Sequence, residues 1–140
     1  MFESTSTSYT AVTGMSASIT PSSTDSKILV MIQSSSGNST STASVQHSIY
    51  RGGSQLTAYI GAAAGSRNRT AAAISNPGTW NQTNFSLVYL DSPSTTSATT
   101  YQLYSESPNA TWRINTNGED SDATNQWRAA SSVTLMEVKA

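Results

Sequence analysis

Residues 27–33, KILVMIQ, carry apolar side chains on both faces of an extended segment. One face holds three β-branched residues, and the other holds Leu29 and Met31. Apolar side chains at successive positions are typical of a strand covered on both sides, either inside a sandwich or against another subunit. We therefore predict that this segment is an inner β-strand, entered through a Pro-containing Ser/Thr turn at residues 20–26.

Alternating apolar and polar residues extend this pattern along most of the chain. No segment has the 3.6-residue period of a long helix, and turn signals such as Gly52-Gly53, Asn76-Pro77-Gly78 and Pro108-Asn109 separate the runs. Eight or nine strands without helices between them predict an all-β fold, an antiparallel β-sandwich of jelly-roll type. The further predicted strands are 9–12, 16–20, 45–51, 55–60, 85–90, 99–105, 111–115 and 132–138.

The segments between these strands divide the chain. Residues 34–42 are polar and predict a loop, and the small residues of 61–73 predict a loop or a close-packed edge. The first eight residues lack core material, so 1–8 is expected to be an extended N-terminal arm. Residues 9–140 are long enough to form one β-sandwich domain.

The charge content is low, with seven Lys and Arg, eight Asp and Glu, and a net charge of −1. Copies of such a chain repel each other weakly, which suits a protein that assembles with itself. A basic excess for a phosphate backbone is lacking, so we expect no nucleic-acid partner. The start of the chain does not resemble a signal peptide, and no apolar run approaches the length of a membrane span, so no membrane partner is expected.

Residues that carry out chemistry are scarce. There is no Cys, and His47 is the one imidazole, inside a predicted strand and without a nucleophile-elbow motif. We expect a packed or surface histidine, no enzymatic activity and no cofactor. Zinc and iron are not expected, because a second His ligand is missing. The carboxylates of Glu119, Asp120 and Asp122 could hold Ca²⁺, but their spacing is not that of an EF-hand and favours a solvated loop.

Aromatic residues are the other candidates for recognition. Trp80 and Trp127 lie in loop-like surroundings, and Arg67 and Arg69 are the one close pair of basic residues. Indole rings can stack on sugar rings, although aromatics in a domain of this size more often form core or subunit contacts. We take these four as candidate exposed recognition residues.

Four stretches together carry a resemblance: ITPSSTDSKILV at 19–30, IYRGG at 49–53, YLDSPSTTSATTYQLY at 89–104 and SVTLMEVKA at 132–140. In combination they resemble a β-sandwich module of tailed-bacteriophage structural proteins, found in fibres and other virion-surface proteins. The resemblance implies a jelly-roll sandwich that works as a homotrimer and has no catalytic residues.

The resemblance and the low charge lead to one expected function with one alternative. We expect a bacteriophage virion structural protein, a trimeric capsid decoration protein on the virion surface, made in the host cytoplasm. Its partners would be copies of itself and the major capsid protein or other virion proteins. The alternative is the receptor- or glycan-binding tip of a tail or head fibre. A tip needs a shaft, and only a short arm precedes the module here, which favours decoration. The arm, through Met1, Phe2, Glu3, Ser4 and Thr5, is expected to anchor the protein on the capsid by strand addition.

Overall fold

A computed structural model describes residues 1–76 and 78–139 of the chain. These residues form ten β-strands and a single 3-10 turn at Thr57–Tyr59, which confirms the prediction of an all-β fold. The turn predicted at Asn76-Pro77-Gly78 centres on Pro77, which lies outside the described residues. The strands are β1 (Phe2–Ser4), β2 (Thr10–Ile19), β3 (Lys27–Asn38), β4 (Ser44–Arg51), β5 (Ser54–Gln55), β6 (Ala72–Ser75), β7 (Thr83–Asp91), β8 (Thr99–Glu106), β9 (Trp112–Ile114) and β10 (Ser132–Val138).

The strands form two antiparallel sheets of five strands each, consistent with a β-sandwich. In the first sheet β3 is central, and β7 pairs with one of its edges. On the other edge, β10 pairs with the first part of β3 and β9 with its last residues. Strand β1 pairs with β9. In the second sheet the order is β2-β8-β4, and β5 and β6 share the remaining edge of β4. Both sheets contribute side chains to one hydrophobic core, which lies between them.

The burial of strand β3 was predicted correctly for its first half but not for its second half. Ile28, Val30 and Ile32 are fully buried on its inner face, as predicted for an inner strand. The prediction of a loop at residues 34–42 is wrong for its first part, because residues 34–38 continue β3 and are buried. Their polar groups tolerate burial because they have hydrogen-bond partners elsewhere in the chain. The side-chain amide of Asn38, for example, donates to the carbonyl oxygen of Ala43 at 2.9 Å.

A buried polar cluster links the two sheets at one end. Asp91 of β7 accepts hydrogen bonds at 2.7 Å from the Arg51 guanidinium of β4 and from the Tyr101 hydroxyl of β8. Burial, together with the hydrogen bond to Asp91, raises the pKa of Tyr101 above its usual value. The Asp91 carboxylate therefore joins strands of both sheets through charge-assisted hydrogen bonds.

The hairpin predicted at Gly52-Gly53 is present between β4 and β5. The strand after it ends at Gln55 instead of continuing to residue 60, because the chain turns into the 3-10 segment and Leu56 is buried in the core. The small-residue segment that follows is an exposed loop over residues 61–69, after which β6 pairs with the edge of β4.

Candidate functional site

Two loops meet on the outer face of the first sheet, above the C-terminal half of β3. We call residues 78–82 and 115–131 the tryptophan loops. The backbone amide of Gly118 donates to the carbonyl oxygen of Thr79 at 2.7 Å. The backbone amide of Asn115 donates to the carbonyl oxygen of Ser35 at 2.9 Å. The backbone of Asn117 lies so close to Gly37 that a Cβ at Gly37 would be 2.6 Å from its carbonyl carbon. Close backbone packing therefore fixes these loops on the sheet.

The tryptophan loops present the two indole side chains selected from the sequence. Trp80 is 52% exposed and Trp127 is 54% exposed. The Asn117 side-chain amide donates both to the backbone carbonyl of Trp80 and to the side chain of Gln126, the neighbour of Trp127. Asn117 thus brings both tryptophan-bearing segments to one region of the surface. The exposure of both rings agrees with the expectation, and their role in recognition remains a prediction.

Trp127 borders an open depression of about 370 Å³, lined by residues 120–123 and 126–128. Here Asp120 accepts two hydrogen bonds from the Arg128 guanidinium, each at 3.0 Å, and one from the Thr116 hydroxyl at 2.9 Å. The hydrogen bonds from Arg128 hold the pKa of Asp120 below its usual value. The carboxylate of Asp122, in contrast, is exposed to solvent.

Two of the three acidic residues considered as Ca²⁺ ligands have protein partners. Glu119 accepts a hydrogen bond from the Thr79 hydroxyl at 2.9 Å, and Asp120 is engaged by Arg128. Within residues 1–76 and 78–139, no group of three His, Asp or Glu side chains converges as metal ligands. Glu119 and Asp120 therefore stabilise the tryptophan loops in the described structure.

Arg67 and Arg69 lie on the exposed loop beside the second sheet. Arg69 donates through Nε to the carbonyl oxygen of Gly61 at 2.7 Å, and its own carbonyl oxygen accepts from the Tyr9 hydroxyl at 3.4 Å. Among the hydrogen bonds of the described residues, none joins either arginine to the tryptophan loops. Both arginines are exposed, and their role in recognition remains a prediction.

The outer face of the second sheet carries tyrosines that pack on one another. The rings of Tyr50 and Tyr104 stack with centroids 3.7 Å apart, and the ring of Tyr9 packs at a tilt against Tyr50 with centroids 6.0 Å apart. Burial raises the pKa of Tyr9 and of Tyr50. Because Tyr50 and Tyr104 cover each other's faces, this cluster offers less ring surface to a ligand than the exposed indoles do.

The N-terminal segment, predicted to be an extended arm, pairs with the first sheet. Phe2–Ser4 forms β1 and pairs with β9, and the Phe2 ring lies 5.4 Å from that of Trp112. Glu3 pairs with Arg113 at 2.6 Å. A strand of three residues is too short to show an alternating apolar pattern, so the only sequence feature that indicated it was the apolar residue Phe2. Among the described residues, no strand pairs with the other edge of β1.

His47 is fully buried between the sheets. Its ring stacks on that of Phe85 with centroids 3.8 Å apart, Nε2 lies 3.2 Å from the Ser36 hydroxyl and Nδ1 lies 2.8 Å from that of Ser105. Burial lowers the pKa of His47 to about 3, so the ring is neutral near pH 7. The residue bridges the sheets as a packed histidine.

A second exposed surface lies on the outer face of the first sheet, beside the tryptophan loops. Leu29 pairs with Leu90 on one side and Met136 on the other, and Met31 pairs with Val88. With Val138, these six residues form what we call the apolar face. Leu29 and Met31 are half-buried, whereas Val88, Leu90, Met136 and Val138 are 51%, 43%, 52% and 43% exposed. The two-sided apolar pattern of residues 27–33 was the sequence signal for this surface.

Comparison of the chain with models of known protein families and with curated proteins finds no match. In the part of the chain that the structure describes, no helix has the length and apolar character needed to cross a membrane. Three surfaces of the described structure are candidate interaction sites: the apolar face, the unpaired edge of β1 and the tryptophan loops.

Proposed function

We propose that this chain is a structural protein of a tailed-bacteriophage virion, namely a trimeric capsid decoration protein with a jelly-roll sandwich. The observation that carries the proposal is the apolar face, which is contiguous across β10, β3 and β7. Contiguous apolar patches on a protein surface are typical of interaction sites. The resemblance of the sequence to virion-surface modules supports the choice of a virion.

The apolar face suits contact between copies of the chain. Burying the exposed part of each of its larger side chains contributes on the order of 1 kcal/mol. The net charge of −1 opposes this contact only weakly. Lys27, which pairs with Val138, is a charged residue beside this face. The proposal therefore assigns the apolar face to the trimer interface.

Attachment to the capsid is assigned to the N-terminal segment. The unpaired edge of β1 presents backbone amide and carbonyl groups that can pair with a strand of another protein. Met1–Thr5 would then bind the major capsid protein by strand addition while β1 remains in its own sheet. The Glu3–Arg113 ion pair holds β1 on β9 and keeps this edge in place.

Deletion of Met1–Thr5 tests this assignment. We expect the deletion variant to co-sediment weakly with capsid shells of the phage that encodes the chain, because the pairing edge is lost. A matched control is Ser16→Ala, at an exposed position of the second sheet, which leaves β1 unchanged. The control should co-sediment like the wild type.

Circular dichroism and sedimentation of the free protein check that both variants fold. A folded deletion variant that binds shells like the wild type would remove β1 from the attachment site. A particle reconstruction that places the chain at the tail end alone would instead favour the fibre-tip function.

The second candidate function is a receptor- or glycan-binding tip, and a specific observation favours it. Trp127 is exposed beside a depression that also carries an exposed carboxylate and a guanidinium. A planar apolar ring next to polar groups is the usual composition of a small-ligand site. Glycan-array binding without shell binding would select this function over capsid decoration.

A further inference from the structure

The depression beside Trp127 has the composition of a ligand site. Its volume of about 370 Å³ is at the lower end of the range for small-molecule sites. The indole of Trp127 supplies a flat apolar surface that is 54% exposed. An exposed indole offers a stacking face and a donor N–H to a ligand.

Polar groups with unused hydrogen-bonding capacity surround this ring. Asp122 is an exposed carboxylate that offers acceptors. Arg128 donates Nε and Nη2 to Asp120, and its Nη1 makes no hydrogen bond within the described residues. Gln126 also lines the depression, and its buried Nε2 has no partner among those residues.

The loop that carries these groups is held in place before any ligand binds. Asn117 accepts hydrogen bonds from the amides of Glu119 and Asp120 at 3.2 and 2.9 Å. Thr116 forms an antiparallel bridge with Arg128, and the amide of Ala129 donates to the carbonyl oxygen of Asn115. A site fixed in this way loses little entropy when a ligand binds.

The charges of the depression select an uncharged ligand. The guanidinium of Arg128 disfavours a metal cation, and the carboxylates of Asp120 and Asp122 disfavour phosphate, sulfate and sialic acid. The ligand must also combine a flat apolar face with several hydroxyl groups that both donate and accept. A pyranose ring has this combination, since its C–H face stacks on an indole and its hydroxyls bond to carboxylates and amides.

We propose that the depression formed by Asp122, Gln126, Trp127 and Arg128 binds a neutral pyranose sugar of a glycan. Trp127 stacks on the ring, Asp122 accepts from its hydroxyls, and Arg128 donates to them. This inference deepens the receptor-binding candidate. It is independent of the apolar face and of β1, so a capsid decoration protein could also carry this site.

The test uses the full chain on an array of neutral, sialylated and sulfated glycans, followed by calorimetry with the best-bound glycan. We expect binding to neutral glycans. Trp127→Ala should weaken the affinity by about tenfold or more, because removal of a central aromatic contact typically has an effect of this size. Asp122→Asn should also weaken it, by a smaller factor.

The matched control is Trp80→Ala, which removes an equally exposed indole from the other tryptophan loop. It should bind the glycan like the wild type, and near-ultraviolet circular dichroism should show that all three variants fold. The proposal is overturned by an absence of array binding, by binding to anionic glycans alone, or by equal affinities of the Trp127→Ala variant and the wild type. Each of these outcomes leaves the co-sedimentation test of the decoration function unaffected.

Discussion

At His47 an imidazole ring takes the place that an apolar side chain would normally fill between two sheets. The ring reaches Ser105 on the neighbouring strand and Ser36 on the opposite sheet, and it stacks on Phe85. Both ring nitrogens have hydroxyl partners, so the burial of the polar ring is compensated. A chain rich in Ser and Thr can build such buried polar contacts wherever two strands bring hydroxyls together.

His47 should make the stability of the protein depend on pH. Its pKa in the folded chain is about 3, against an ordinary value of 6.5. Between these values the unfolded chain binds more protons, so stability is full above pH 6.5 and falls as the pH is lowered toward 3. Within that window the free energy of unfolding should drop by up to about 1.4 kcal/mol per pH unit.

Urea unfolding between about pH 7 and pH 5 measures this slope while most carboxylates stay ionised. The His47→Gln variant should be less stable at pH 7 and should lose most of the slope. An equal slope in the wild type and the variant would show that His47 does not titrate on unfolding.

At the scale of elements, β3 shows what the sequence could predict. Its apolar half was predicted because successive large side chains can be covered only inside a sandwich or an interface. Its second half was missed because Ser34–Asn38 resembles a loop, and its burial depends on hydrogen bonds to distant residues. The three-residue β1 was missed since only Phe2 signals it.

The candidate site was predicted in part. The exposure of Trp80 and Trp127 followed from their polar, loop-like surroundings. The joining of their loops through Asn117 depends on contacts between segments about 40 residues apart in sequence, and no local pattern encodes such contacts.

Gly37, the glycine under the tryptophan loops, gives a prediction at this scale. Gly37→Ala should destabilise the protein by about 1–3 kcal/mol, because its Cβ would meet the Asn117 backbone at 2.6 Å and force the loop away from β3. Gly61→Ala is the matched control, with no atom closer than 4.0 Å to the added carbon.

Thermal unfolding and tryptophan fluorescence compare the two variants. The Gly37→Ala variant should unfold at a lower temperature and show altered emission from the tryptophan loops, whereas Gly61→Ala should match the wild type. Equal behaviour of both variants would mean that the loops do not depend on close packing at Gly37.

At the scale of the whole molecule, the outer face of the first sheet carries two different surfaces. The tryptophan loops cover the half above the C-terminal part of β3, and the apolar face occupies the half formed with β10 and the end of β7. Association through the apolar face can therefore leave the depression at Trp127 open. The proposed trimer would then carry three copies of the glycan site, which raises its avidity for a surface that displays many glycans.

The central claim, self-association through the apolar face, is tested most directly by the mass of the protein in solution. Sedimentation velocity should give three times the mass of one chain for the wild type. Val88→Lys with Met136→Lys should give the mass of one chain, because four charges of two neighbouring copies would have to be buried without partners. The control Ser16→Lys, at an exposed position of the second sheet, should remain trimeric. A wild type that sediments as a single chain, or a double variant that stays trimeric, would contradict the account.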